Sequence, residues 1–215
     1  MLSYTDLYKF NTNFLKRNKD FNPGIKILKI IENNETGAYL TIGEINKTLV
    51  LSFRGTEISF KDIFSDSLFF KSTIPYISDS KIKVHTGFLC QYMSIRKDIF
   101  KFIKNKVLIE NVIIVGHSLG GALASLCILD LFNNFKDFMF KGIVFGSPKV
   151  GNKFFLREFK KNINDFINIQ NVNDLIVKLP PNFLGFKHIG NLIKIDKPEF
   201  PYISIKKHLN YDEYL

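Results

Sequence analysis

Tryptophan is absent from this 215-residue chain, and cysteine nearly so, with Cys90 and Cys127 alone. Both lie in apolar contexts, so a disulfide framework is not expected. No apolar run approaches the ~20 residues that span a bilayer. Residues 1–10 lack a basic stretch followed by an apolar one, so no secretory signal is expected, and with the cysteines this predicts an intracellular, cytoplasmic location. Acidic residues are the scarcer charge, 20 against 30 Lys and Arg, for a net charge of +10. The lysines are scattered, with no block longer than Lys160-Lys161 or Lys206-Lys207. That pattern speaks against a nucleic-acid site and leaves transient attraction to an anionic membrane surface as the charge-based expectation. Histidine is rare too. There are four, which limits the candidates for a general base.

What is present reads as one α/β domain over residues 1–215. Residues 2–14 place Leu2, Leu7, Phe10 and Phe14 at helical spacing, with Ser3 and Thr5-Asp6 as caps. Residues 25–31, 38–42 and 48–53 read as an antiparallel meander, with 33–37 and 43–47 as turns. Residues 57–70 carry Ile58, Phe60, Ile63, Phe64 and Phe69 in an irregular amphipathic pattern. Beyond them strands at 112–115, 142–146, 166–172 and 192–195 alternate with helical patterns at 89–105, 121–132 and 154–159. The expected fold is therefore a mostly parallel central sheet with an antiparallel N-terminal portion and helices on both faces.

The chain is organised around residues 112–121, VIIVGHSLGG. Four β-branched residues read as a buried strand, and Gly121 onward reads as a helix. Between them Gly116-His117-Ser118-Leu119-Gly120 fits G-x-S-x-G, the pattern of a nucleophile elbow when strand and helix flank it. The sharp turn needs small neighbours two positions from the serine, and Gly116 and Gly120 supply them. The hydroxyl then sits at a helix N-terminus, where N–H groups favour a developing anion.

Serine needs a base, and the base needs an acid to hold its tautomer. In α/β-hydrolases the chain order is Ser, acid, His. His85 precedes Ser118 and His117 lies inside the turn, so His188 and His208 remain. Asp174 follows the strand 166–172 on the sheet edge where ligands gather, which favours it as the acid over Asp196. The longer excursion from Asp174 favours His208 over His188 as the base. The oxyanion donors expected are the N–H of Leu119 and a group from Arg54-Gly55-Thr56, Thr56 above all.

These motifs together resemble the class 3, fungal-type lipases of the α/β-hydrolase fold. The resemblance rests on Phe53-Arg54-Gly55-Thr56, Asp62 and Asp66, His85-Thr86-Gly87-Phe88, and the elbow itself. It extends through Gly146-Ser147-Pro148-Lys149-Val150-Gly151-Asn152, Asn173-Asp174, Leu179-Pro180-Pro181, His188-Ile189-Gly190 and His208-Leu209-Asn210-Tyr211. It implies Ser118, Asp174 and His208 as the triad, Thr56 and Leu119 as oxyanion donors, and His188 beside the pocket. It implies hydrolysis of carboxylic esters of lipids, triacylglycerols or phospholipids at sn-1, without metal or cofactor. A lipid ester is then the partner, met at an anionic membrane or lipid-droplet surface, and residues 58–70 stand where such enzymes often carry a lid. An acyltransferase using the same triad and an inactive lipid-binding domain are the competing readings.

Overall fold

The computed structural model describes residues 2–13, 24–55, 70–106, 108–196, 208 and 211. The chain opens on helix α1 (Tyr4–Asn13). Ser3 and Asp6 cap it reciprocally: Asp6 N donates to Ser3 Oγ, and Ser3 N donates to Asp6 Oδ2, both at 3.0 Å. Three strands follow, β1 (Lys26–Asn33), β2 (Ala38–Ile45) and β3 (Thr48–Phe53), paired antiparallel in that order. The turn expected at 43–47 is tighter than its polar residues suggest. β2 runs on to Ile45, and Asn46 and Lys47 alone make the reversal, both with positive φ. Two residues in that conformation match the twist of the flanking strands.

A short hairpin, β4 (Lys71–Thr73) with β5 (Lys83–His85), stands apart as a second sheet. Its strands are too brief to show in the hydrophobic pattern. It leads into α2 (Thr86–Ile103). Then β6 (Asn111–His117), α3 (Leu119–Asn134), β7 (Met139–Phe145), α4 (Lys153–Asn162), β8 (Phe166–Asn171) and β9 (Asn191–Ile195) complete the alternation. The main sheet has the order β1-β2-β3-β6-β7-β8-β9, and every pair from β3 onward is parallel.

Side chains alternate across this sheet, as strand geometry demands. Leu49, Leu51, Val112, Ile114 and Val144 face the larger core, which α2, α3 and α4 close. Val50, Val115, Ile143, Phe145 and Ile169 face the other, where α1 brings Leu7, Tyr8 and Phe10 and where Tyr211 is seated. Helix α3 is buried from Leu119 to Leu131, including the carboxylate of Asp130. That charge is tolerated because it is fully engaged. Tyr92 donates at 2.6 Å, Arg96 donates through Nε at 2.5 Å and Nη2 at 3.0 Å, and Asn134 adds a bond at 3.1 Å. The cluster fastens α2 to α3 behind the elbow.

Candidate active site

The elbow forms at the C-terminal end of β6, as the strand–turn–helix pattern predicts. Ser118 has φ 59 and ψ −130, a backbone strained for any residue with a Cβ. Neighbouring strands hold it there: Ser118 N donates to Phe145 O at 2.9 Å. The two flanking glycines are required by close approach. A Cβ on Gly116 would stand 2.2 Å from the Gly120 oxygen, and one on Gly120 would stand 2.2 Å from the Phe53 oxygen.

Asp174 and His208 are brought together. His208 Nδ1 donates to Asp174 Oδ2 at 2.6 Å, with both side chains fully buried. The same oxygen accepts the Tyr211 hydroxyl at 2.9 Å, and Asp174 Oδ1 accepts Ile176 N at 2.7 Å. Tyr211 is fixed in turn, because its hydroxyl accepts Asn171 N at 2.8 Å. Its proton is held tightly. Burial first, and then the charge of Asp174, push the phenol far above its ordinary value. Three donors converge on one buried carboxylate, and the bond to Asp174 fixes the His208 tautomer with its proton on Nδ1.

The imidazole lies against the elbow. His117, next to Ser118, stacks on His208 with ring centroids 4.5 Å apart, and its Nε2 donates to the His208 carbonyl at 2.8 Å. Gly146, directly after the Phe145 that anchors Ser118, has its Cβ direction 3.0 Å from the His208 ring. The Ser118 hydroxyl itself is buried and has no hydrogen-bond partner among the described residues. The pattern of the sequence marks Ser118, Asp174 and His208, but nothing local in it distinguishes His117 or Tyr211 as their supports. The one hint is the three-residue spacing of His208 and Tyr211.

Leu119 begins α3, so its N–H has no acceptor within the helix. Thr56 lies outside the described residues, as do 58–69 of the expected lid. The chain leading to Thr56 does pass the serine, since a Cβ on Gly55 would lie 3.3 Å from Ser118 Cβ. His188 keeps away from the pair: its Nδ1 meets Gln170 Nε2 at 2.9 Å, and burial, then the charge of Lys149, lower its pKa to about 4. Asp196, the rival acid, faces Asn171 and Asn173 at 3.5 and 3.4 Å. Among the described residues no group of His, Cys, Asp and Glu is gathered in a metal-binding arrangement.

A family model for lipase (class 3) matches residues 50–184, the stretch from β3 through the elbow and Asp174. The chain belongs to the class 3 lipase family. It is 31% identical over 163 residues to a lipase of Rhizopus niveus, a match covering 73% of this chain and 41% of that protein. It is 35% identical over 117 residues to a secreted mono- and diacylglycerol lipase of Malassezia globosa, covering 53% of this chain and 38% of the relative. The matched stretch thus spans less than half the length of either. Its fold superposes on the crystal structure of a lipase from Rhizopus microsporus var. chinensis with a TM-score of 0.84 at 25% identity, covering 97% of this chain and 85% of that one.

These relatives overturn one expectation. The intracellular location read from residues 1–10 and the two cysteines does not stand, because the family members it matches include a secreted fungal enzyme. The physical reason is that two free cysteines and a short N-terminal stretch carry no address. Cys127 is packed inside α3 and Cys90 is exposed. Among the described residues no helix is long and apolar enough to cross a membrane.

Proposed function

We propose that residues 1–215 act as one catalytic domain that hydrolyses carboxylic esters of lipids, with Ser118 as nucleophile, His208 as base and Asp174 as its orienting acid. The buried 2.6 Å contact of His208 with Asp174, set against the strained Ser118 turn through His117, carries this reading. Ser118 Oγ attacks the ester carbonyl as His208 Nε2 takes its proton. Asp174 stabilises the imidazolium. The N–H groups of Leu119 and Thr56 bind the oxyanion, each such donor being worth roughly 3 kcal/mol in the transition state. The intermediate collapses to an acyl-Ser118 ester as His208 returns the proton to the departing alcohol. Water, deprotonated by His208, then releases the fatty acid.

Triacylglycerols and phospholipid sn-1 esters are the proposed substrates, met at a lipid surface that the +10 charge biases toward anionic composition. The test is labelling by a fluorophosphonate probe, followed by hydrolysis of emulsified triacylglycerol and of phospholipid vesicles. Wild type is expected to label and to turn over at least one. Ser118→Ala is expected to do neither, and turnover surviving in that variant sinks the assignment. An added alcohol that captures the acyl group in preference to water would favour the acyltransferase reading.

A further inference from the structure

We infer that the cleft between β8, β9 and the turn around Pro181 is a docking surface for anionic phospholipid, with a lipid phosphate entering the cleft and Phe183 entering the apolar layer beside it. This names the surface at which the lipid reading above operates, and rests on that reading. The cavity, about 590 Å³, is lined by Lys149, Lys178, Lys194, Gln170, Asn182 and His188. Among the described lining residues there is no Asp or Glu.

Lys149 forms its floor. The residue is only 6% exposed, and its ammonium donates to the carbonyls of Lys178 and of Pro180, the latter at 3.0 Å. An ammonium has three donors, and a buried one among like charges is relieved by an anion. Burial, then Lys187 and Lys178, lower its pKa to about 8. Lys178 and Lys194 are exposed at the mouth. Their charges converge on one opening, unlike the scattered lysines elsewhere.

The apolar half of the surface lies next to the basic half. Phe183, in the turn Asn182–Leu184, is 85% exposed, and Leu192 on β9 is 45% exposed. An aromatic held out beside lysines pairs hydrocarbon with phosphate, the combination an anionic bilayer presents. The position is also apt. Val172 and Val177 of the cavity wall flank Asp174 in the chain, so the cleft opens on the same sheet edge as the elbow.

The experiment is co-sedimentation of the full Ser118→Ala chain with vesicles, so that no lipid is consumed. Binding to phosphatidylcholine vesicles carrying about 30 mol% phosphatidylglycerol is expected to be at least tenfold tighter than to phosphatidylcholine alone, and to weaken with salt. Lys178→Gln with Lys194→Gln is expected to lose about tenfold of that affinity. Phe183→Ser is expected to lose a similar factor at unchanged charge. Lys101→Gln with Lys104→Gln, at the far end of α2, makes the same change in net charge and is expected to bind like the parent. Equal losses in that control would overturn the inference in favour of diffuse attraction. So would indifference to vesicle charge, or stabilisation by inorganic phosphate without vesicle preference. Fluorophosphonate labelling of the wild-type serine is read separately, so failure of docking and failure of the triad are distinguishable.

Discussion

His117 lies against His208, ring on ring at 4.5 Å, and donates to its backbone carbonyl at 2.8 Å. The residue inside the elbow therefore fixes both the ring and the main chain of the residue that pairs with Asp174. Burial first, then the nearby His208 charge, hold the His117 pKa well below 6.5. His117→Phe keeps a stacking ring and loses the donor. We expect kcat/KM to fall about tenfold, in line with ~1–1.5 kcal/mol for one buried hydrogen bond, with little change in KM. Unchanged kcat would show that the carbonyl bond does not position the His208 imidazole.

Tyr211→Phe removes a donor from Asp174 Oδ2 and leaves Asn171 N without its acceptor. The carboxylate is then held by one donor fewer beside His208. The value of kcat/KM is expected to fall about tenfold with little change in KM. An unchanged kcat would assign Tyr211 a packing role only.

Two histidines, buried His85 and half-buried His188, make stability depend on pH. His85 and His188 each have a pKa lowered from 6.5 to about 4, chiefly by burial. Between those values the unfolded chain binds protons that the folded chain excludes. Stability is thus full above pH 6.5 and falls as pH drops toward 4, by up to about 3 kcal/mol per group. Urea unfolding at pH 7 and pH 4.5 measures this difference. His85→Phe, whose ring stacks on Phe88 at 4.2 Å in the native protein, is expected to shrink it by about 2 kcal/mol. Equal differences in the two proteins would contradict the assignment.

Asp130→Asn keeps the shape of the buried cluster and removes its charge. Arg96 and Tyr92 then face a neutral amide. Breaking such a pair from one side costs about 3 kcal/mol. Chemical denaturation is expected to show that loss, while fluorophosphonate labelling at low temperature stays near wild type, because the cluster lies behind α3 and away from Ser118.

Gly120→Ala places a Cβ 2.2 Å from the Phe53 oxygen, which belongs to a central strand and cannot move aside. A loss of about 3 kcal/mol is expected, lowering Tm by roughly 6–12 °C. A thermal melt matching wild type would mean that β3 and α3 are less closely joined than the structure has them.

The alternation of β-branched strands with helices, the glycines around Ser118 and the carboxylate at the end of β8 are legible in the chain because each is a local rule: period, steric size, strand end. Elimination among the four histidines leaves His188 and His208, the longer excursion from Asp174 favours His208, and the family resemblance implies it. Other features escape the sequence. The β2–β3 reversal occupies two residues where five looked like a turn, because pairing with β3 keeps Gly43–Ile45 in the strand.

The sequence by itself determined the layered α/β fold and the elbow, and favoured Asp174 and His208 as the carboxylate–imidazole pair. Tertiary structure alone decided what holds that pair in place. Tyr211 reaches Asp174 across 37 positions, and His117 reaches the His208 carbonyl across 91. Contacts at such separations leave no periodic trace along the chain. They exist because β6, β7 and β8 end side by side, and the strand order of a sheet is a property of the packed molecule.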